Sequence, residues 1–348
     1  MCSCSCFGVN PITPEKESAM ATMLRLAKPE GKYNLILEEA PVPEPGPGQV
    51  RIKSVRSLIS RGSEMGARYT REHAVSPAAM GYSLAGVVDK VGAGIAHLVE
   101  GDRVVSLSPH AQYVVADARP GGPDDQMRVV ALPDAVDFDR APYYPLVGGA
   151  VAWVDIEEIG RDDNVVVLGQ GLVGSLVMQV ALANGRGRMI AVDALENRCR
   201  LAAELGAVVV DASQEDAVQA VRRLTQGVGA DIVVYAVGGP AGPKAFDQGL
   251  DMLATGGLLH LIGLYEDAPL PLSSGKIQRR RLLGGYYGQS VGLGQSQRAL
   301  SLLARGTIDT DRMTTHRFPY SQAGEAFDLL YRKPGEALGV LFDWEVED

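Results

Sequence analysis

The stretch "NVVVLGQGLVGSLVMQVALANG", residues 164–185, decides the fold. It opens with an apolar run of strand length, continues through Gly169, Gly171 and Gly174 in G-x-G-x-x-G spacing, and then places Leu172, Val173, Leu176, Val177, Val180 and Ala181 on one helical face. Each glycine has its own reason. The first permits a tight turn, the second lets backbone approach a pyrophosphate, and the third lets helix and strand pack closely. The helix N-terminus then offers unpaired N–H groups and a partial positive charge to phosphate. Asp193 closes the next strand nineteen residues after Gly174. A carboxylate there accepts hydrogen bonds from the adenosine ribose and repels a 2'-phosphate, which predicts NAD rather than NADP. Arg198 and Arg200 would suit the phosphorylated cofactor; they are read here as surface residues. The expected cofactor set is Gly169, Gly171, Leu172, Val173, Gly174, Asp193 and Arg198, with Ala236, Val237, Ile262 and Gly263 further along the chain.

Working outward, "RMIAVD" reads as a strand, "LENRCRLAAELG" as a helix closed by Gly206, and "AVVVDAS" as a third strand. "ADIVVYAVGG", a helix around "PKAFDQGLDML", "GGLLHLIGLY" and "RLLGGYYG" continue the alternation. Strands alternating with helices predict an α/β doubly wound parallel sheet, because parallel strands need crossover connections. Upstream, from Met23 to about Val136, short β-rich runs are broken by turn residues, as in "YNLILEEAPVPEPGPGQVRIKSV", which predicts a compact antiparallel barrel or sandwich. The last segment, "YSQAGEAFDLLYRKPGEALGVLFDW", reads as one amphipathic helix and one strand. The expected division is a disordered extension over 1–22, a β-rich domain over 23–145, the parallel-sheet domain over 146–315, and a return to the first domain over 316–348.

The 348 residues, 46% hydrophobic and 22% charged, suit a globular protein of two domains. A net charge of -9 argues against a nucleic-acid partner, since that affinity comes from Lys and Arg neutralising phosphates. The basic run "KIQRRR" at 276–281 reads as a solvated turn. No apolar stretch reaches the roughly 18 residues that span a bilayer, and the N-terminus shows no apolar signal core, so the expected location is cytoplasmic, without membrane contact. Cys2, Cys4 and Cys6 form an alternating tip, and Cys199 stands apart in a helical pattern, which is not the spacing of a zinc module.

"AAMGYSLAGVV" at 78–88, "GDRVV" at 101–105 and the glycine turn, in this order, resemble the medium-chain dehydrogenase/reductase superfamily from about Met23 to Asp348. The resemblance implies a GroES-like catalytic domain interrupted by a Rossmann domain, an active site in the cleft between them, a small-molecule substrate and a homodimer. It also implies catalytic zinc ligands, whose places fall here on Ser60 or Arg61, on Tyr82 and on Tyr144. None is a thiolate, imidazole or carboxylate, and the four-cysteine loop of many relatives is missing, so the expectation is an enzyme without zinc. A carbonyl oxygen would then be met by hydrogen-bond donors and its proton handled by side chains. Tyr82 and Tyr144 offer phenols, and Ser63 matches the proton-relaying hydroxyl of relatives. Arg61 is a candidate for pyrophosphate or substrate anion, with Glu64 as its ion-pair partner, and His110 is a candidate acid/base. His73, His97, His260 and His316 are treated as structural or exposed. The expected reaction is reversible oxidation of a secondary alcohol on a small polar molecule such as a sugar or cyclitol. Reduction of a conjugated double bond with NADPH, and non-catalytic sensing of the dinucleotide, are the alternatives.

Overall fold

The computed structural model describes residues 21–121, 128–264, 268–286 and 291–346; the cysteine-rich tip lies outside them. The chain opens with β1 (Thr22–Ala27) and β2 (Ile36–Pro41), an antiparallel pair. Thr22 thus already belongs to a strand, two residues inside the described part.

The first half is built on β3 (Gln49–Leu58), β4 (Leu84–Val91), β5 (Arg103–Ser106), β6 (Tyr113–Asp117) and β7 (Val129–Ala131). The strands β14 (Thr314–Pro319) and β15 (Gly339–Asp343) return from the far end of the chain and complete a seven-stranded sheet in the order β14-β15-β3-β4-β5-β7, with β6 also on β3. Pairing of Leu341 with Leu58 is the register that closes this return. Between β3 and β4 the backbone of Arg61–Tyr69 winds as a nine-residue π-helix, which the sequence pattern did not announce. Such wide helices are rare and are frequently found at functional sites. Its end is stapled by Lys28, a buried cation whose Nζ donates to the carbonyls of Pro29, Gly31, Arg71 and His73.

The second half begins with α1 (Tyr144–Glu157), apolar on nearly every side and accordingly buried on nearly every side. Six strands follow: β8 (Asn164–Leu168), β9 (Arg188–Asp193), β10 (Val208–Asp211), β11 (Ala230–Tyr235), β12 (Leu253–Leu261) and β13 (Arg281–Gly284). They form one all-parallel sheet in the order β10-β9-β8-β11-β12-β13. Helices α2 (Leu172–Ala183), α3 (Glu196–Glu204), α4 (Ala217–Leu224), α5 (Gly242–Met252), α6 (Ser274–Ile277), α7 (Leu293–Ala304) and α8 (Thr310–Met313) connect or follow them, and α9 (Ala323–Arg332) belongs to the return. Strands β8 and β9 read true from the sequence because their runs are apolar on both faces, as a doubly covered parallel sheet requires.

The largest buried cluster unites both halves: Leu58, Ala85 and Val105 of the first sheet meet Val147 and Val151 of α1, which in turn pack on Val167, Leu176 and Val177. Together the elements give an α/β molecule with a GroES-like sheet and a Rossmann sheet sharing one helix as their seam. None of the described helices is long and apolar enough to cross a membrane.

Candidate active site

The glycine turn sits where β8 gives way to α2. Strand β8 is flanked by β9 on one side and β11 on the other, so the chain reverses direction across the sheet at this point and opens a crevice at the carboxyl ends. Gly169 holds φ at +93°, a left-handed conformation that favours glycine, with Val237 and the Ala236 carbonyl packed where a side chain would begin. A Cβ on Gly174 would collide with the Gly169 carbonyl oxygen. Both residues are glycine because the turn and the first helical turn occupy the same space. Gly171 precedes α2, and Leu172 and Val173 open the helix, leaving their N–H groups directed outward. Ala236 and Val237 follow β11, and Ile262 and Gly263 follow β12, so the expected cofactor residues do converge on the carboxyl edge.

Asp193 ends β9 as expected, but its carboxylate is turned onto backbone. One oxygen accepts from Gln170 N at 2.6 Å and the other from Ala194 N and Leu195 N at 2.8 and 2.9 Å. It ties the glycine turn to the start of α3. Arg198 is not the surface residue expected: its side chain is 10% exposed, its Nη1 lies 3.8 Å from Asp193, and its Nη2 donates to the Pro334 carbonyl of the return. Arg61 reaches the same place. Burial, then repulsion by Arg198, lower its pKa, with Asp193 opposing. Two guanidinium groups and one carboxylate therefore border the turn, and a cavity of about 530 Å³ lined by Arg198, Arg200, Arg312 and Thr315 adjoins them.

At the places expected for zinc ligands, Tyr82 donates its phenol to Ser60 Oγ at 2.8 Å. Tyr144 does not join them; it is buried in the seam, where burial raises its pKa and the Ser296 hydroxyl partly offsets that. Ser63 lies half-buried on the π-helix. The Arg61–Glu64 ion pair does not form. Arg61 Nε instead donates to the Leu330 carbonyl at 3.1 Å, and Glu64 pairs with His110 at 2.9 Å. Glu64 and His110 are both wholly buried, so the imidazole expected beside the substrate stands behind the wall instead. There it is bonded on both nitrogens. With Glu64 as acceptor, His110 Nε2–H donates to it, Nδ1 of the neutral ring accepts from the Ser57 hydroxyl, and Ser57 Oγ accepts from Trp344 Nε1. The other Glu64 oxygen accepts from Ser60 N at 2.8 Å, so the chain of bonds ends one residue's width from Tyr82. Gly81 allows this packing: its φ is +96°, and a Cβ would stand 2.7 Å from His110 Cδ2.

Sequence reasoning missed four further residues. Ser57 and Trp344 complete the network just described. Trp153 and Tyr286 stack with ring centroids 5.0 Å apart. The one signal for them was scarcity, since Trp153 and Trp344 are the only tryptophans in the chain.

Along most of its length the chain is similar to known dehydrogenases. Residues 173–305 match the family model described as zinc-binding dehydrogenase. L-threonine 3-dehydrogenase of Bacillus subtilis is 28% identical over 88% of this chain and 95% of its own length. Human sorbitol dehydrogenase is 26% identical over 91% and 95%. Among solved structures, an alcohol dehydrogenase of Thermus sp. ATN1 superposes with a TM-score of 0.77 at 25% identity, covering 92% of this chain and 99% of that one. The expectation of a protein without zinc is corrected by these matches, because the family found is a zinc-binding one. What the structure adds concerns three positions only. Hydroxyls of Ser60, Tyr82 and Tyr144 do not fit the donor set zinc takes, and among the described residues no group of three or more His, Cys, Asp or Glu is placed to hold a metal.

Proposed function

We propose, for a chain that belongs to the medium-chain dehydrogenase/reductase superfamily, reversible hydride transfer between a secondary alcohol and a nicotinamide dinucleotide held on the glycine turn. The enzyme class, an alcohol oxidoreductase, follows from its dehydrogenase relatives. The carrying observation is the hydrogen-bonded Tyr82–Ser60 pair, at two of the positions that the family resemblance aligns with catalytic ligands. In the reducing direction the nicotinamide supplies hydride to the carbonyl carbon, and the oxygen gains charge that must be met by a donor and then a proton. Tyr82 donates to Ser60 Oγ, so the Ser60 hydrogen is available to the substrate oxygen, and the phenol strengthens that donor as charge develops. Glu64 orients this pair by holding Ser60 N, and His110 holds Glu64; both are positioning residues.

Asp193 supports NAD as the cofactor by its place at the end of β9, where its charge opposes a 2'-phosphate, although Arg198 Nη1 at 3.8 Å offsets part of that charge. The division into a catalytic domain over 23–145 and 316–348 and a dinucleotide domain over 146–315 is part of the same proposal. A homodimer is proposed through β13, the sheet edge that exposes Leu282. Calorimetric titration of NADH and NADPH tests the cofactor reading. Wild type should bind NADH more tightly. Gly174→Ala, which drives a methyl into Gly169, should bind neither, and Asp193→Ala should lose the preference. Failure of wild type to bind either dinucleotide would overturn the proposal.

A further inference from the structure

Two aromatic side chains stack just beyond the end of β13, with a third near them. Tyr286 follows Gly285, whose N–H bonds the Leu261 carbonyl at 2.9 Å, and therefore stands at the carboxyl end of the parallel sheet beside Ile262 and Gly263. Its ring lies nearly flat on Trp153 of α1, the planes inclined by 17°. Its hydroxyl rests against bare helix backbone, since a Cβ on Gly149 would come within 2.9 Å of it. Tyr82 approaches from the other half. Burial first, then the nearness of Tyr82, raise the Tyr286 phenol to about 12. Yet 41% of Tyr286 is open to solvent. One face of the ring is used by Trp153.

The polar groups expected to greet a sugar are placed elsewhere. Glu64 and His110 are sealed behind the wall, and Arg61 is committed to the Leu330 carbonyl near the phosphate turn. Among the described residues these three groups are not available to a polyol here, and each hydroxyl left unmet would carry a cost. A flat ring would instead extend the existing stack.

We propose that Tyr82, Trp153 and Tyr286 form an aromatic wall that selects alcohols and ketones carrying an aromatic ring or another flat unsaturated group beside the reacting carbon. The inference rests on the hydride-transfer reading above and names its substrate class. Tyr286 supplies the stacking face, Trp153 fixes its tilt, and Tyr82 joins the wall to the Ser60 hydroxyl that meets the substrate oxygen. Gly148 and Gly149 keep α1 thin enough for Val291 and Tyr286 to lie against it.

The test is calorimetric titration of 1-phenylethanol and 1-cyclohexylethanol, which share the carbinol and differ in flatness. NADH is present to prevent turnover, and the titration is repeated without it. Wild type should bind the phenyl compound about fivefold more tightly, the ratio a single aromatic pair supplies. Tyr286→Leu should bring that ratio near one while leaving the cyclohexyl affinity within about twofold. Gly149→Ala, which displaces the Tyr286 hydroxyl without removing the ring, should give an intermediate ratio. Equal affinities in wild type, no binding of either alcohol, or an unchanged ratio in Tyr286→Leu would overturn the wall. Absence of NADH binding would instead overturn the dinucleotide reading, and the titration without NADH would still read the wall.

Discussion

His110 with Glu64 and His260 with Glu157 are the same two side chains paired in the two halves of the molecule, both wholly buried, and their surroundings differ in completeness. Glu64 has a partner on each oxygen, Ser60 N and His110 Nε2, and His110 is engaged on both nitrogens. Glu157 has His260 on one oxygen only; among the described residues its Oε2 has none. Burial therefore raises the Glu157 pKa more than His260 pulls it down. Each pair braces one wall of the cleft. The first holds the backbone of Ser60, and the second, through His260 Nε2 donating to the Gly285 carbonyl, holds the residue before Tyr286. A fully bonded polar network fixes geometry, whereas a half-bonded one stores a penalty that pH can tune.

The contrast breaks most readily at Glu64. Glu64→Ala would strand the Ser60 N–H and the His110 Nε2–H in the interior, and two such unmet donors should cost about 4 kcal/mol in denaturant unfolding. Glu64→Gln should recover about half of that loss, since its carbonyl can still accept from one of them. A cost below about 1 kcal/mol for the alanine variant would show that the network does not hold this wall.

Tyr82→Phe separates chemistry from packing at the end of the same network. It keeps the ring and removes the hydrogen bond to Ser60, so kcat/KM should fall by about a hundredfold or more while unfolding changes by less than about 1 kcal/mol. A loss under about tenfold would reduce Tyr82 to packing.

Glu157→Gln probes the second pair and should have the smallest effect. In the wild type the folded-state pKa of Glu157 is raised above its ordinary 4.5, so the folded chain holds a proton that the unfolded chain releases. That contribution is complete below pH 4.5 and is lost as pH rises through the folded value. Glutamine does not titrate. The variant should therefore gain on the wild type as pH rises, ending within about 1 kcal/mol of it or above it at pH 8. Parallel stability curves for the two proteins would contradict the raised pKa.

What the sequence disclosed and what it withheld follow from the range of the forces involved. The glycine turn was legible because its requirement is local: a positive φ at Gly169 and no room for a side chain at Gly174 are imposed by neighbours within a few residues. Strands β8 and β9 were legible for the same reason. Asp193 was found by spacing, but the direction of its carboxylate depends on which amides the fold brings to it. Arg61 and Glu64 were expected to pair because they are close in sequence, but the fold offers each a distant partner, the Leu330 carbonyl for Arg61 and His110 for Glu64. Glu64 and His110 are 46 residues apart, and Trp153 and Tyr286 come from different elements; sheet pairing and helix packing, not periodicity, join them.

The most direct measurement follows a deuterium atom. NADH carrying deuterium at one face of nicotinamide C4 is mixed with the protein and an aryl methyl ketone, and the alcohol formed is analysed by mass spectrometry and NMR. The account predicts label on the carbinol carbon from one face of the ring only, with the hydroxyl hydrogen drawn from solvent. Unlabelled ketone recovered from a protein that demonstrably binds NADH would contradict it.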